Sequence, residues 1–226
     1  MPINLATVLC TSGLAAEARI ARAAGFPTVV GAGDRSRTAA LVETAVGTAN
    51  CLVSFGIAGG LAPELRAGDI VLSTEVLSDS GRWQATDPIF RTRVARLASA
   101  IGAFEGPVLG TSRIMSGTAE KRRTWAETGA LAVDLESDVV ACIAASSGIP
   151  FVVARTIADT AYRALPPAAL IPLAEDGTPQ LARVLASVLR RPRQVAALVG
   201  LARETRAALA ALVLPARALY GLVATA

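Results

Sequence analysis

Residues 53–61 read VSFGIAGGL, an apolar run that leads directly into closely spaced glycines. The apolar part, residues 50–55, is typical of a buried strand, and the glycines in residues 56–60 predict a turn at its end. Glycine lets a backbone approach a ligand closely and expose N–H donors to phosphate or ribose oxygens. The spacing does not match GxGxxG, so it does not predict a dinucleotide site. An ordinary strand-end turn is the alternative interpretation.

Strand-like and helix-like segments alternate on both sides of this motif. Short apolar runs predict further strands at residues 3–10, 28–30, 69–77, 106–109, 130–134 and 150–157. Amphipathic patterns predict helices at residues 14–24, 38–46, 88–101, 119–127 and 137–146. This alternation is typical of an α/β fold with a mixed, mostly parallel central sheet covered by helices.

The composition changes after the LPP sequence at residues 165–167. We predict a main body over residues 1–170 and a helical C-terminal extension of the same domain over residues 180–226. Helical patterns in that extension cover residues 181–189 and 195–214. The prolines expected to mark breaks are Pro192 and Pro215.

The residue types restrict the chemistry that this chain can perform. It contains no histidine, so acid–base chemistry would fall to carboxylate, lysine or tyrosine groups, and we predict no metal site. Its three cysteines lie in apolar runs without CxxC spacing, which indicates buried thiols in a reducing compartment. The first residues lack the basic region of a signal peptide, and no apolar run reaches the roughly 18 residues of a spanning helix. We therefore expect a cytoplasmic protein.

The charge is unevenly distributed along the chain. The net charge is +4, but residues 181–226 hold seven arginines and a single acidic residue, Glu204, so the remainder is slightly negative. A basic tail on a nearly neutral body favours an anionic surface as its partner. Aromatic residues are not interleaved with the arginines, so we predict no nucleic-acid partner.

Two carboxylates follow each other closely in the sequence VDLES at residues 133–137. Asp134 and Glu136 are two positions apart, and residues at that spacing share one face of an extended strand. A carboxylate at the carboxyl edge of an open α/β sheet lies where ligands bind. We therefore predict that both face a ligand. The alternative is that Asp134 or Ser137 caps the next helix.

The strand at residues 150–157 contains a charge and is followed by another. Arg155 interrupts an apolar run that continues to Asp159, and a buried charge is costly unless it is paired. We expect Arg155 to pair with Asp159 or Glu136. As an alternative, Asp159 caps a following helical turn.

A third carboxylate, Glu17, follows the first strand. It would lie on the first turn of a helix at the same edge of the sheet. A surface residue favoured there by the helix dipole is the alternative interpretation.

Taken together and in this order, these segments resemble the purine nucleoside phosphorylase / methylthioadenosine nucleosidase superfamily over residues 3 to about 165. Within it, the chain is most similar to the hopanoid-associated phosphorylase group. The segments that carry the resemblance are GLAAEAR at 13–19, the glycine motif at 53–61, GDIV at 68–71, VDLES at 133–137, RTIAD at 155–159, ADTAYRALPPAAL at 158–170 and the arginine-rich tail.

The resemblance implies a role for each candidate residue. Asp159 would protonate the purine at N7 as the base leaves, Glu136 would bind the ribose hydroxyls, and Glu17 would activate water. Residues 1–170 would then form a nucleoside phosphorylase-like catalytic domain. The substrate-binding positions that the resemblance adds are Leu135, Gly59, Gly60, Ile114, Met115 and Arg155.

The implied function is the release of adenine from adenosylhopane, a lipid-linked nucleoside. Cleavage of a soluble nucleoside (methylthioadenosine, adenosylhomocysteine or futalosine) and non-catalytic nucleoside binding are the alternatives. No cofactor is expected. Water and inorganic phosphate are the two alternatives for the nucleophile: Glu17 favours water, while Arg19, Arg35 and Arg37 favour phosphate. The resemblance also implies a homo-oligomer.

The tail carries an apolar stripe with two open interpretations. Its members recur at three- and four-residue spacings: Val195, Leu198, Val199, Leu201, Ala202, Leu209, Leu212 and Val213. Arginines stand beside the stripe, as in helices that lie on the inner membrane surface. Packing on the body or on a second subunit is the alternative.

Overall fold

A computed structural model describes residues 8–78, 81–85 and 87–224. Its strands are β1 (Val8–Ser12), β2 (Thr28–Val30), β3 (Cys51–Gly60), β4 (Ile70–Ser73), β5 (Glu75–Ser78), β6 (Gly81–Gln84), β7 (Phe104–Glu105), β8 (Val108–Gly110), β9 (Ala132–Asp134) and β10 (Phe151–Asp159). Its α-helices are α1 (Ala15–Ala23), α2 (Arg35–Val46), α3 (Pro88–Ile101), α4 (Thr118–Thr128), α5 (Ser137–Ser146), α6 (Leu181–Arg190), α7 (Val195–Ala211) and α8 (Val213–Ala224). Two 3-10 helices cover Pro167–Leu170 and Pro192–Gln194.

All ten strands belong to one sheet with β3 near its centre. The main path runs β6-β5-β8-β9-β3-β10-β4-β7, and β1 joins β3 to β2 beside it. Strands β1 and β10 pair with β3 in parallel, whereas β9 pairs antiparallel with the last residues of β3. Helices cover this sheet, so the predicted α/β class with a mixed, mostly parallel sheet is confirmed.

The glycine motif is part of a strand, which corrects the predicted turn at residues 56–60. β3 continues through all of them to Gly60. Gly59 and Gly60 pair with Val133 and Ala132 of β9, and Gly59 also pairs with Asp159 of β10. Neighbours on both sides keep the chain extended, and this pairing outweighs the turn preference of glycine.

Several other predicted boundaries also change. The predicted strand at residues 69–77 divides into β4 and β5 at Thr74, because β4 pairs with β10 whereas β5 pairs with β8. The sequence patterns missed β6, which pairs with β5 as a hairpin. Of the first predicted strand, residues 3–7 lie outside the described residues, and β1 extends to Ser12.

The C-terminal helices pack on the body. Leu212, Ala216 and Leu219 are fully buried in the main core, and the Thr156 hydroxyl of β10 donates to the Ala208 carbonyl oxygen at 2.9 Å. The apolar stripe is therefore divided: Leu209 and Leu212 pack against the core, while Val195, Val199 and Val213 remain 44%, 46% and 37% exposed.

The predicted helix at residues 195–214 also ends earlier than expected. It stops at Ala211, and α8 follows from Val213. Pro215 lies in the first turn of α8 and does not end a helix, because a proline there needs no intrahelical N–H partner.

A buried polar network joins β3, β9, β10 and α5. The Arg155 guanidinium donates from Nε to Asp134 Oδ2 at 2.6 Å and from Nη2 to the hydroxyls of Ser54 at 2.6 Å and Ser137 at 3.0 Å. The side chain of Arg155 is only 2% exposed and that of Asp134 only 4%. Arg155 therefore pairs with Asp134, and the expected pairing with Asp159 or Glu136 is wrong.

The ion pair sets the charge of both partners. Burial alone would raise the pKa of Asp134, but the Arg155 charge and the hydrogen bonds from Ser137 hold that pKa below its usual range. Burial disfavours the charged guanidinium, but Asp134 and the nearby carboxylates raise the pKa of Arg155. Both groups are therefore charged.

Replacing the guanidinium should expose the cost of an unpaired buried carboxylate. We expect Arg155→Met to lower the free energy of unfolding by about 3–5 kcal/mol near neutral pH. Since the folded-state pKa of Asp134 is lowered, the stabilisation is present above the usual aspartate range and is lost as pH falls through that lowered pKa. The difference in the free energy of unfolding between Arg155→Met and wild type, measured by denaturant unfolding, should therefore become smaller at acid pH.

The controls separate charge from packing. The double variant Arg155→Met/Asp134→Asn should lose less stability than Arg155→Met alone, because no buried charge is left unpaired. Arg123→Met changes the same charge at an exposed position of α4 and should be near neutral. Equal losses in the single and double variants would contradict the importance of the ion pair.

Candidate functional site

A cleft of about 440 Å³ opens where several strands end. It lies among the residues that follow β1, β8 and β9, the second half of β3 and the end of β10. Seven predicted site residues line it: Glu17, Gly59, Ile114, Met115, Leu135, Glu136 and Asp159. This volume is within the range of small-molecule sites.

Two predicted substrate contacts lie outside this lining. Arg155 is buried in the network beneath the cleft, and Gly60 is buried against Ile157 and the Asp159 backbone. Both positions help to build the site without bordering the cavity.

Glu17 is held by three backbone N–H groups. Its Oε2 accepts from Gly13 at 3.0 Å and Leu14 at 2.8 Å, and its Oε1 accepts from Ile57 at 2.8 Å. The side chain fits because residue 56 is glycine: a Cβ on Gly56 would lie 2.7 Å from the Glu17 carboxyl group. Burial raises the pKa of Glu17, while the three N–H donors and the Arg155 charge oppose that rise. Glu17 is thus a buried, oriented carboxyl group, in contrast to the surface alternative.

Glu136 faces the same cleft from the start of α5. Its Oε1 accepts from the Gly33 N–H at 2.9 Å, and a Cβ on Gly13 would lie 2.7 Å from that oxygen. Burial raises the pKa of Glu136 to about 7, with Asp134 and Glu17 adding to the rise and Arg155 opposing it. Near neutral pH this group therefore exchanges readily between its charged and neutral forms.

Asp134 and Glu136 do not share a strand face, which corrects the spacing argument. β9 ends at Asp134, and Glu136 is the N-cap residue of α5. Asp134 Oδ1 accepts from the N–H groups of Glu136 at 3.0 Å and Ser137 at 2.8 Å, so it caps the helix while it binds Arg155. The capping alternative therefore describes Asp134, which also borders the cleft but is bound to Arg155, whereas the carboxyl group of Glu136 is not part of that ion pair.

Asp159 ends β10 and forms an ion pair with Lys121 of α4. The Lys121 side chain is fully buried, and its ammonium also donates to the carbonyl oxygens of Thr160 at 3.0 Å and Arg163 at 3.2 Å. Burial raises the pKa of Asp159, and the Lys121 charge opposes that rise. Sequence reasoning missed Lys121, because one lysine among the charged residues of α4 carries no signal of burial.

One wall of the cleft comes from residues 165–180, which we call the strap. Its part of the lining is apolar: Leu165, Ala169, Leu170, Ile171, Pro172 and Leu173. The strap is tied to the body at both ends, since Leu165 N–H donates to Ser116 O at 2.9 Å and Ala15 N–H donates to Gly177 O at 3.1 Å. In the sequence, the first part of this stretch contributes to the family resemblance through ADTAYRALPPAAL at 158–170, and the rest is marked only by its change in composition.

The arginines predicted to bind phosphate lie away from the cleft. Arg35 is paired with Asp138, Arg37 donates to the Val30 carbonyl oxygen at 3.3 Å, and Arg19 borders a different groove. Among the described residues, Arg113 is the only lysine or arginine that lines the cleft, and it is paired with Glu120. Within the same ranges, no cluster of three or more cysteine, aspartate or glutamate side chains is arranged to hold a metal ion.

Comparison with known sequences identifies the family. The model of the phosphorylase superfamily matches residues 28–191, which is most of the chain. A 5'-methylthioadenosine/S-adenosylhomocysteine nucleosidase from Haemophilus influenzae is 28% identical over 141 residues. That match covers 54% of this chain and 61% of the relative, so the chain matches less than two thirds of the relative's length.

Comparison with solved structures shows the same fold. A nucleosidase of this kind from Neisseria meningitidis, in complex with methylthio-immucillin-A, has a TM-score of 0.65 at 18% identity, covering 97% of this chain and 99% of that one. A Helicobacter pylori nucleosidase mutant with 5'-methylthioadenosine in its active site gives 0.66 at 11% identity over the whole of both chains. The futalosine hydrolase of Helicobacter pylori gives 0.62 at 12%, covering 91% and 94%. With this fold and the family match over most of its length, the chain belongs to the phosphorylase superfamily.

Proposed function

We propose that this protein cleaves the N-glycosidic bond of a purine nucleoside. The observation that carries the proposal is that three buried carboxyl groups outside the Arg155 ion pair, those of Glu17, Glu136 and Asp159, line one cleft. In the reaction, the bond between the sugar C1' and the purine N9 breaks, and its electron pair stays on the base. A proton must reach the base because a purine anion is a poor leaving group. The sugar becomes positively charged, which nearby carboxylates stabilise.

Asp159 and Glu17 have opposite proton requirements in this scheme. Asp159 gives its proton to N7 of the purine, so it must be protonated before cleavage; burial, which raises its pKa, favours this. Glu17 takes a proton from the attacking water, so it must be ionised; its three N–H donors and the Arg155 charge favour that form against the burial that raises its pKa. Glu136 accepts hydrogen bonds from the ribose hydroxyls. The water oxygen bonds to C1', one proton passes from Asp159 to the base and one from the water to Glu17, and the products are a free base and a free sugar.

The apolar strap supports a substrate with an apolar group on the ribose 5' carbon. Leu170, Ile171 and Leu173 border the cleft. Leu170 and Ile114 are also each 38% exposed, so apolar surface continues from the lining to the outside. A lipid-linked adenosine suits this arrangement, and we propose adenosylhopane, with adenine as the released base, in hopanoid biosynthesis.

A soluble nucleoside is the second candidate. The relative in Haemophilus influenzae is named a 5'-methylthioadenosine/S-adenosylhomocysteine nucleosidase, and the futalosine hydrolase of Helicobacter pylori shares the fold. The 5' substituents of all these substrates differ, so a substrate panel separates them. A non-catalytic nucleoside-binding protein would bind these nucleosides without releasing base.

Water is the proposed nucleophile, and the reaction needs no resident cofactor. Support comes from the position of Glu17 and from the absence of Arg19, Arg35 and Arg37 from the cleft lining. Inorganic phosphate remains the competing co-substrate, and its attack would yield a sugar 1-phosphate. We further propose that the protein acts as a homo-oligomer in the cytoplasm.

The central experiment measures free base after incubation with adenosylhopane, methylthioadenosine, adenosylhomocysteine and futalosine. We expect adenine release from adenosylhopane, with turnover reduced by about 10²-fold or more in Asp159→Asn, which keeps the shape but removes the proton donor. Substrate affinity should change less than turnover. Near-normal base release by Asp159→Asn would contradict the mechanism, and preference for another nucleoside would reassign the substrate.

Lys121 should control the pH dependence through Asp159. Its ammonium lowers the pKa of Asp159, so Lys121→Met should raise that pKa. Asp159 would then stay protonated to higher pH, and the alkaline limb of kcat/KM should move to higher pH. Arg122→Met removes the same charge from an exposed position of α4 and should leave the profile unchanged. An alkaline limb that stays in place would show that it does not report Asp159.

The role of Glu17 in activating water is tested by displacing its carboxyl group without replacing the residue. In Gly56→Ala the new methyl group would overlap the Glu17 carboxyl group, and we expect turnover without phosphate to fall by about 10²-fold. Gly47→Ala is the matched control, because a Cβ on Gly47 has no neighbour within 4 Å. Glu17→Gln should abolish the phosphate-free reaction. Strict dependence of the wild type on phosphate would instead identify a phosphorylase.

A further inference from the structure

Helix α6 exposes a row of leucines at its surface. Leu181, Leu185 and Leu189 are 74%, 59% and 74% exposed, and their four-residue spacing puts them on one side of the helix. Val184 and Val188, on the neighbouring side, are half-buried. The helix therefore packs against the protein on the side of its valines, and the leucine row is left uncovered.

The leucine row is attached to the wall of the cleft at both ends of α6. At the start, Gln180 Nε2 donates to the carbonyl oxygens of Pro172 at 3.0 Å and Leu173 at 3.2 Å, and both residues line the cleft. After its end, the buried Gln194 accepts from the Ala168 N–H at 3.0 Å and donates to the Ser187 carbonyl oxygen at 2.8 Å. Helix α6 is thus anchored to the strap at both of its ends.

The side of α6 opposite the leucine row, together with the segment after the helix, is positively charged. Arg183 and Arg190 on α6, with Arg191 and Arg193 after it, are all exposed, and residues 177–203 contain no acidic side chain. In the part of the chain that the structure describes, none of these four arginines forms a salt bridge. A second copy of this chain would bring the same charges against them, whereas an anionic surface would neutralise them.

We propose that the leucine row and its four arginines dock the protein on an anionic lipid bilayer, with α6 lying in the interface. Leucines on one side of a helix, with arginines on its opposite side and just after its end, are the pattern of an amphipathic helix that rests in a membrane interface, with its apolar side chains among the lipids and its cations at the headgroups. No helix within the described ranges is long and apolar enough to cross a membrane. Docking through α6 brings the strap, and with it the mouth of the cleft, to the lipid surface. The link from docking to the substrate rests on the proposed function, but docking itself does not.

The test uses the full chain and vesicles that contain no nucleoside. Co-sedimentation is measured with phosphatidylglycerol/phosphatidylcholine vesicles and with phosphatidylcholine alone, at low and high salt. We expect binding to the anionic vesicles only, weakened by salt, and reduced about tenfold or more in Leu181→Ser/Leu185→Ser/Leu189→Ser and in Arg190→Gln/Arg191→Gln/Arg193→Gln. The control Ile89→Ser/Leu214→Ser changes exposed apolar residues of α3 and α8 and should bind as wild type does.

Three results would overturn the proposal. These are a wild type that ignores anionic vesicles at low salt, a leucine variant that binds them as well as wild type, and a leucine variant that turns a dimer into a monomer in light scattering. The last would show that a second copy covers the row. Base release from a soluble adenosine should stay unchanged in the leucine and arginine variants. Loss of vesicle binding with normal base release separates this proposal from the proposed reaction.

Discussion

A guanidinium buried in the middle of the sheet is the constraint on which the cleft depends. A charge at the position of Arg155 is tolerated only with a partner, and Asp134 supplies it at the point where β9 ends. The same carboxylate caps α5, whose N-cap residue is Glu136. The direction in which Glu136 faces the cleft therefore follows from an ion pair beneath it. Because Arg155 is bound there, Asp159 pairs with a different cation, the buried Lys121 ammonium of α4.

Two glycines of the site leave room for the carboxyl groups of other residues. Gly56 leaves room for the carboxyl group of Glu17, and Gly13 leaves room for that of Glu136. Neither glycine has a positive φ, so neither is needed for backbone conformation. The site is built by removing volume from two positions so that functional groups from distant parts of the chain can occupy it. The glycine motif can therefore form a paired strand and still contribute to the site.

The fold class and the main carboxylates could be predicted from the sequence because their signals are local. Apolar runs and amphipathic patterns give strands and helices, and Glu17, Glu136 and Asp159 each follow such a run at the edge where ligands bind. The features that could not be predicted depend on which residues become neighbours in the folded chain. Pairing with β9 and β10 keeps the glycine motif extended, and the burial of Lys121 arises only when α4 packs over the end of β10.

The strap has a further consequence for selectivity. The Gly177 carbonyl oxygen accepts from Ala15, the first residue of α1, and Glu17 lies in that same first turn. Gly177 itself is closely surrounded, since a Cβ there would lie 2.8 Å from both Ala15 N and Gly13 O. A molecule that pushes on the strap therefore pushes on the peptide groups that orient Glu17. For the proposed reaction, we therefore expect discrimination between substituents to be expressed in turnover as well as in binding.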